Sequence, residues 1–290
     1  MSVVVIGASS GPGRLLFDKL RESNVEVLGI ARSAKGIKNS ANGKFIRIDA
    51  MDTDELLKVL PPETFLIHCS RPEILTALLQ RKLMVQRLIV LGSTRIYTRF
   101  PDDKCKRLAA MSHELSMSDL KVTLLHPTMI VGAPGLNNIE RIVNVARVSP
   151  VIPLPGEGAS TIQPVEATDV VKAILACMNN SDTIGKTIVL AGRGAITYRQ
   201  LIEICVDAAG LNCKVVNLPY PLIWLLSILT PLAPGIPTIG SDEVQRLLED
   251  KDFDIEDMLN LLGVEPKTVE IGIRSAIKNA LGKSHNKSHR

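Results

Sequence analysis

Aromatic side chains are scarce in this chain, because Phe, Trp and Tyr together make up only 3% of its 290 residues. Apolar residues of all kinds make up 46%, so aliphatic side chains must fill the core. A chain of this length can form one large domain, or one domain with a smaller lobe. The net charge of +4 comes without a basic stripe interleaved with aromatics, so we do not expect a nucleic-acid partner.

The cysteines show no pairing pattern. They are five in number, none belongs to a Cys-x-x-Cys pair, and they stand at Cys69, Cys105, Cys177, Cys205 and Cys213. This usage favours a reducing compartment over a disulfide framework, and we expect cytoplasmic localisation. No spacing of His, Cys and carboxylate side chains predicts a metal site.

Neither a leader nor a membrane-spanning segment is expected. The first apolar stretch is short and follows no positively charged region, unlike a signal peptide. The longest apolar stretch, 218–233, is interrupted by Pro219, Pro221 and Pro231 and is shorter than the roughly 20 residues that cross a bilayer. Because it lacks the Lys and Arg of an interfacial helix, we expect it to be buried in a second lobe or to contact a protein partner. Peripheral membrane contact is the alternative.

A glycine-rich turn follows the apolar residues 3–6. Its sequence is GASSGPG at 7–13, and a helical pattern follows it. Glycines permit the tight turn and close approach of a phosphate, and the helix N-terminus favours the negative charge of a pyrophosphate. Proline suits the first helical turn, where a missing N–H costs nothing. We assign a dinucleotide site to Gly7, Ser9, Ser10, Gly11, Pro12 and Gly13. The alternative is a tight strand–helix turn without a ligand.

Apolar runs and helical patterns alternate over residues 2–120. Strand-like runs occur at 3–6, 25–30, 45–48, 65–68, 87–91 and 122–125, with helical patterns such as 14–21 and 53–60 between them. This alternation predicts an α/β, Rossmann-type doubly wound parallel sheet with helices on both faces.

The pattern changes after Pro127. Residues 134–160 are rich in proline and glycine around a helical stretch at 139–148. Residues 163–165 then predict a short strand, Asp169 a cap for a helix over 170–178, and residues 187–190 a further strand. We assign the sheet domain to 1–133 and 161–192, a smaller, mostly helical lobe to 134–160 and 193–281, and a disordered basic tail to 282–290.

The second predicted strand ends near Arg32, where a NAD-binding fold places a carboxylate for the ribose 2′-hydroxyl. A guanidinium cannot accept that hydrogen bond, but it pairs well with a 2′-phosphate. We therefore expect NADP as the cofactor, with NAD as the second possibility, and with Arg14, Ser33 and Lys35 assisting. The alternative is that Arg32 is a solvated residue at a strand end.

Two further strand ends carry candidate cofactor residues. Asp49 and Ala50 follow the third strand, where a carboxylate can meet the adenine amino group. The sequence His68-Cys69-Ser70 follows the fourth strand and would border the cofactor, because ligands of open α/β sheets collect at the carboxyl ends of strands. Helix capping is the competing role for Asp49, or for Asp52.

An ordered series of segments resembles the short-chain dehydrogenase/reductase superfamily in its extended or atypical branch. The segments are GASSGPG at 7–13, IDA at 48–50, LGSTRIY at 91–97, HPTMIVGAPG at 126–135, IQPVEATDVVKAI at 162–174 and LEDKDFDIEDMLNLLG at 248–263. The chain is most similar to NAD-dependent epimerase/dehydratase-like proteins related to the Rossmann-type accessory subunit of respiratory complex I. The resemblance implies a nicotinamide cofactor, with Cys69 and Pro127 beside it.

The chain departs from this family at the catalytic centre. Family catalysis uses a Tyr-x-x-x-Lys pair, in which the lysine lowers the pKa of the phenol, together with a serine after the fifth strand. No such pair occurs here, and aligning the expected helix on Glu114 puts Lys106 at the tyrosine position and Ala110 at the lysine position. Ser93 matches the family serine, and Tyr97 matches a wall of the substrate pocket. These two are our catalytic candidates.

The remaining acid–base candidates are His126, His113, Lys104 and Lys106. A histidine titrates near neutral pH and can move a proton, but a lone histidine beside a strand end is more often structural. The family usually has arginine where His126 stands. Cys69 lacks an adjacent base, so we interpret it as a packing residue rather than a nucleophile.

Three functions agree with these features. We expect a NAD(P)-binding oxidoreductase or epimerase/dehydratase-like protein with atypical proton-transfer groups, in which the cofactor carries the hydride. The main alternative is a non-catalytic NADP-binding sensor, assembly or scaffold protein, and the third is a structural protein with an empty pocket. The sequence does not reveal the substrate.

Overall fold

The computed structural model describes residues 2–285 except 10, 24, 34–36, 38, 62, 82, 136–137 and 230–244. Its centre is a seven-stranded sheet, in which these strands lie side by side in the following order: Thr187–Leu190, Val122–Pro127, Arg87–Leu91, Phe65–His68, Ser2–Ile6, Glu26–Ala31 and Gly43–Arg47. All of its neighbouring strands run parallel. The predicted fold class, a Rossmann-type doubly wound sheet, is confirmed.

The sheet strands lie close to the predicted runs. They are β1 (Ser2–Ile6), β2 (Glu26–Ala31), β3 (Gly43–Arg47), β4 (Phe65–His68), β5 (Arg87–Leu91), β6 (Val122–Pro127) and β11 (Thr187–Leu190). Shorter strands outside it are β7 (Ile130–Val131), β8 (Val151–Leu154), β9 (Thr161–Ile162), β10 (Val165–Glu166), β12 (Ile196–Thr197) and β13 (Lys214–Asn217).

The helices that surround the sheet and build the lobe are α1 (Gly11–Glu22), α2 (Thr53–Val59), α3 (Pro72–Leu79), α4 (Asp103–Ser116), α5 (Asn138–Val148), α6 (Ala167–Asn179), α7 (Tyr198–Ala208), α8 (Tyr220–Leu229), α9 (Glu256–Asn260) and α10 (Val269–His285).

Alternate residues of β1 enter two different hydrophobic cores, because successive side chains of a strand point to opposite faces. Val3 and Val5 pack with Leu16 of α1 and with α6, whereas Val4 and Ile6 pack in a core built with α2, α3 and α4. A strand buried on both faces reads as a continuous apolar run, which is why β1 is visible in the sequence.

The chain beyond residue 134 adds a separate core. Residues of α5, α7 and α10 pack together there, including Ile139, Leu201 and Ile273. Short two-stranded sheets, β12 with β9 and β13 with β8, connect these helices. Met258 of α9 and Val264 instead pack in the core that contains Val3. The domain boundaries proposed from the sequence stay a prediction.

Three local predictions need correction. The strand expected at 163–165 is Val165–Glu166. Asp169 does not cap a helix, because α6 begins at Ala167, and the Asp169 carboxylate accepts hydrogen bonds from Lys267 N (2.9 Å) and Lys172 Nζ (2.8 Å). The tail expected to be disordered from residue 282 continues α10 as far as His285, and residues 286–290 lie outside the described residues.

Helix α8 forms the middle of the apolar stretch 218–233. Ile223 is buried, but Trp224 and Leu225 are 43% and 51% exposed, so burial in the lobe does not extend to these two side chains and their contact with a partner stays a prediction. Residues 230–233 lie outside the described residues. Within the described part of the chain, no helix combines the length and hydropathy needed to cross a membrane.

Candidate functional site

The glycine turn lies at the topological switch point of the sheet, where the order of the strands reverses direction. β1 stands between β4 and β2, so the turn after β1 and the turn after β4 border the crevice in which α/β proteins of this kind bind ligands. Gly7 has φ +91°, and a Cβ there would meet the Cys69 carbonyl oxygen at 2.5 Å. A Cβ on Gly13 would meet the Gly7 carbonyl oxygen at 2.5 Å. The two turns and α1 therefore pack so closely that only glycine fits at these positions.

Space adjoins the turn, but the first two residues of α1 offer no unbound N–H. Gly11 has φ +59°, and a Cβ there would have no heavy atom within 4 Å, so open space adjoins the first turn of α1. However, the Gly11 N–H donates to the Pro134 carbonyl oxygen over 2.6 Å, and Pro12 has no N–H. A dinucleotide at this turn would be held by the N-terminal end of α1.

Arg32 is exposed at the end of β2, in reach of solvent. Its carbonyl oxygen accepts from Arg47 Nε over 3.0 Å, and Arg47 ends the neighbouring strand β3. Two guanidinium groups thus stand at adjacent strand ends, and sequence reasoning had missed Arg47. Of the proposed assistants, Arg14 pairs with Asp18 over 2.6 Å, Ser33 is exposed, and Lys35 lies outside the described residues.

The two aspartates after β3 have different roles. Asp52 caps α2, since its Oδ1 accepts from Glu55 N over 3.0 Å. Asp49 is exposed, and its Oδ1 accepts from Met51 N over 3.2 Å within the turn. Ala50 is buried. The capping role therefore belongs to Asp52, and the Asp49 carboxylate remains accessible at the strand end.

The turn after β4 presents backbone rather than reactive groups. Cys69 N donates to Ile6 O over 2.9 Å, and burial raises the pKa of the Cys69 thiol to about 12, which suits a packing residue. The His68 side chain has no exposed surface, so it has no face to offer a cofactor. Among the described residues, neither ring nitrogen of His68 has a hydrogen-bond partner, and burial lowers its pKa to about 4.

The catalytic candidates Ser93 and Tyr97 lie together with His126. Ser93 N donates to His126 Nδ1 over 3.1 Å, and the rings of Tyr97 and His126 are 5.5 Å apart in an edge-to-face arrangement. The Ser93 hydroxyl oxygen accepts from Arg95 N and so caps the 3₁₀ helix that carries Tyr97. Pro127, at the end of β6, is buried, and its carbonyl oxygen accepts from the Thr94 hydroxyl over 3.3 Å.

This arrangement supplies no activated phenol. Burial raises the pKa of Tyr97, whereas a proton-transfer tyrosine needs a lowered pKa. Burial also lowers the pKa of His126 to about 4, so its imidazole is neutral at physiological pH. The ring of Tyr97 further contacts Phe253, at 6.1 Å between centroids.

The other acid–base candidates lie away from this cluster. The Lys106 side chain is 74% exposed and pairs with Asp103, and Ala110 and His113 are exposed on the same helix α4. Lys104 and Lys106 line an open surface cavity of about 570 Å³ together with Arg99, Asp102 and Gln245 among others. The described residues contain no cluster of His, Cys and carboxylate side chains suited to a metal ion.

Residues 245–253 connect the segment that follows β5 with the residues around β9. The sequence did not reveal this role. Glu249 is buried and accepts from the Thr98 hydroxyl (2.8 Å) and from Arg99 N (2.6 Å). Phe253 N donates to Gln163 Oε1 over 2.8 Å, and Lys251 Nζ donates to the Tyr198 hydroxyl over 3.1 Å. We call 245–253 the bridging segment, because its partners lie both after β5 and around β9.

A charged network fixes the start of the bridging segment. Asp102 Oδ2 pairs with Arg95 and with Arg246 Nη1, the latter over 3.4 Å. Although partial burial opposes ionisation, hydrogen bonds from Arg95 and from Cys105 N hold the pKa of Asp102 at about 2. The carboxylate is therefore ionised throughout the physiological range and keeps both arginines in place.

The strand order and the glycine turn together define a Rossmann-type α/β protein with the fold of NAD-dependent epimerases and dehydratases. UDP-glucuronic acid 4-epimerase from Bacillus cereus matches 96% of this chain and 98% of its own with a TM-score of 0.73 and 14% identity. UDP-glucose 4-epimerase from Thermotoga maritima matches 98% of this chain and 100% of its own, with a TM-score of 0.74 and 16% identity. dTDP-glucose 4,6-dehydratase from Bacillus anthracis, solved with NAD, matches 98% of this chain and 98% of its own, with a TM-score of 0.74 and 14% identity. The expected resemblance is thus confirmed in the fold.

A curated relative is similar over part of the chain. Subunit 9 of the NADH dehydrogenase [ubiquinone] 1 alpha subcomplex, a mitochondrial protein of Arabidopsis thaliana, is 30% identical over 122 residues. The match covers 40% of this chain and 29% of the relative, less than a third of its length. No family model matches the chain.

Proposed function

We propose that the chain binds a nicotinamide dinucleotide at the Gly7–Gly13 turn and does not carry out tyrosine-based turnover. It acts as a cofactor-binding sensor, assembly or scaffold protein with the fold of an oxidoreductase. Two observations support the binding. The turn lies at the switch point of the sheet, and a Cβ on Gly7 or Gly13 would clash with the backbone there. The structural neighbours that were solved with NAD agree with this cofactor class.

One observation carries the non-catalytic part of the proposal. The position of the family tyrosine is held by Lys106, whose side chain is 74% exposed and paired with Asp103. Burial raises the pKa of the Tyr97 hydroxyl, and the Tyr97 ring contacts the rings of His126 and Phe253. A phenol in this state is a poor proton shuttle at neutral pH.

Gly11 offers a sharp test of the binding site. Asn and Asp tolerate positive φ better than most residues, and open space adjoins this position. We expect G11D to abolish dinucleotide binding, because the carboxylate repels the phosphates. The isosteric control G11N should bind the dinucleotide with an affinity closer to that of the wild type. Calorimetric titration with NADPH and NADH measures both, and mass spectrometry of the purified wild type shows any co-purified dinucleotide. A wild type that binds neither cofactor would contradict the proposal.

NADP is the proposed cofactor, with NAD second. Arg32 and Arg47 place two cations at adjacent strand ends where a 2′-phosphate would lie, and no carboxylate stands at the end of β2 to accept from a 2′-hydroxyl. The structural neighbours solved with NAD leave this preference to be measured.

An oxidoreductase or epimerase/dehydratase-like enzyme is the second candidate function. The cluster of Ser93, Tyr97 and His126 at the ends of β5 and β6 favours it, because a substrate beside the cofactor would meet these groups. Oxidation of bound NADPH by carbonyl compounds would establish this function. Its absence across a broad panel, with binding intact, supports the non-catalytic one.

A protein partner fits the exposed part of α8. Leu222, Trp224 and Leu225 expose apolar surface on a helix without charged residues. The curated relative is named as a subunit, which agrees with a role in an assembly. The free cysteines of the described chain agree with a reducing compartment such as the cytoplasm.

A further inference from the structure

The loop between β7 and α5 reaches the first turn of α1. Its Pro134 carbonyl oxygen accepts the Gly11 N–H over 2.6 Å. The Gly11 N–H is one of the orphan donors at the N-terminus of α1, which in the proposed function face the pyrophosphate. A donor that the ligand needs is therefore used by the chain's own carbonyl.

The sequence of α1 makes this contact consequential. Pro12 has no N–H and the Gly11 N–H is bound to Pro134, so neither of the first two residues of α1 offers a ligand an unbound N–H. The carbonyl oxygen of Pro134 also presents partial negative charge to the position of an anionic phosphate. A pyrophosphate cannot take the Gly11 donor while this carbonyl remains in place.

The loop has glycines on both sides of Pro134. Gly132 has φ +80° and Gly135 has φ +78°, and both are exposed. A Cβ on Gly132 would meet nothing closer than 3.6 Å, so an alanine there is resisted by the backbone angle and not by packing. The observed conformation of the loop requires these positive φ angles. Glycine adopts them at little cost, whereas other residues disfavour them.

We propose that residues 132–135 form an autoinhibitory loop that must leave the N-terminus of α1 before a dinucleotide binds there. The inference rests on the proposed function, because it concerns the regulation of the same site. The loop leads into α5, whose Ile139 and Val143 pack in the core of the lobe with Ile273. Cofactor occupancy is thereby coupled to the position of α5.

Alanine substitutions at the two glycines test the loop. G132A and G135A raise the free energy of the observed loop conformation, so we expect NADPH to bind about fivefold more tightly than to the wild type. The matched control is G185A. Gly185 has φ +75° and open space around it, but it precedes β11 at the opposite end of the sheet from the site. This control should lose thermal stability without a change in NADPH affinity.

Amide hydrogen exchange supplies a second measurement. We expect NADPH to change the rate of hydrogen exchange of the Gly11 amide. It should also increase the rate of amide exchange at the start of α5. Equal NADPH affinity in the wild type and both loop variants, with unchanged exchange at α5, would overturn the loop inference and leave the proposed function standing. Tighter NADPH binding by both loop variants than by the wild type, with unchanged affinity in G185A, would support it. If no variant and no wild type binds either dinucleotide, both the inference and the proposed function fail.

Discussion

The backbone N–H of Ser93 donates to Nδ1 of His126 over 3.1 Å, which leaves that nitrogen without a proton and the imidazole neutral. The ring stands at the end of β6 beside Tyr97. Where the family resemblance leads one to expect an arginine, the chain thus has a buried and uncharged group. The consequence for the stability of the fold can be measured by titration.

The two buried histidines should make the protein sensitive to acid. Burial lowers the pKa of His68 and of His126 from 6.5 to about 4, so the unfolded chain binds protons at a higher pH than the folded one. Their contribution to stability is complete above pH 6.5 and is lost as the pH falls toward 4. We expect a loss of about 2 kcal/mol per histidine between pH 7 and pH 5.

Urea unfolding of H68L at both pH values checks this expectation. Removal of the buried imidazole should flatten the dependence of the unfolding free energy on pH. The control H113Q changes an exposed histidine and should leave the dependence as in the wild type. An equal slope in wild type and H68L would show that His68 does not carry the effect.

Arg32 should decide between the two cofactors. We expect R32D to weaken NADPH binding roughly ten- to a hundredfold, because it replaces a charge-assisted hydrogen bond by repulsion, and to weaken NADH binding little or not at all. The control K44D makes the same change of charge near the start of the neighbouring strand β3, away from the strand end that carries Arg47. Equal effects of R32D and K44D in calorimetry would assign the preference to net charge alone.

If turnover of NADPH is found, its residue dependence should follow the geometry of the site. Y97F and S93A should each reduce kcat more than K106A, because Tyr97 and Ser93 border His126 and Lys106 lies in solvent. Loss of a positioned proton donor costs on the order of a hundredfold or more. A larger loss in K106A than in either of the others would reverse these roles.

Glu249 should be the most sensitive contact of the bridging segment. E249A leaves the Thr98 hydroxyl and Arg99 N–H without their acceptor, and we expect a loss of about 2 kcal/mol in the free energy of unfolding. E249Q should recover part of it. The exposed pair of Asp103 and Lys106 provides the control, since D103A should change stability by only a few tenths of a kcal/mol. Similar losses in E249A and D103A would contradict this view.

Helix α8 should contact protein rather than lipid. Because α8 has no charged side chain, we expect the protein not to pellet with vesicles of neutral or anionic phospholipid. W224S changes the exposed tryptophan, and M84S is the control at an apolar side chain that is 83% exposed elsewhere. Strong pelleting that W224S abolishes and M84S does not would move α8 to a membrane surface.

The sheet could be predicted because its strands are buried on both faces and therefore appear as apolar runs. The short strands β12 and β13 gave no such signal, since none of their residues is buried. Asp169 was misread as a cap because a local pattern cannot show its partner, Lys267, which lies far along the chain. Local pattern thus predicts elements well and long-range polar contacts poorly.

The same distinction applies to the site. Gly7 and Gly13 were identified because a turn between strand and helix has a local signature. Glu249, Phe253 and Pro134 were not, because each meets the site through contacts between distant segments. Arg47 had a weak signal, since it ends the third strand beside the residue that was considered.

The hydrophobic core that contains Val3 also contains Met258 and Val264, and this has a consequence for the order of events during synthesis. The ribosome makes the first strand long before the residues that cover its core, and β11, the edge of the sheet, also comes late. A nascent chain therefore holds apolar strands that cannot yet be covered, which is the state that chaperones bind and that aggregates most readily. Premature termination before α9 would leave this surface permanently open, so we expect such fragments to be degraded rather than to persist as a smaller folded protein.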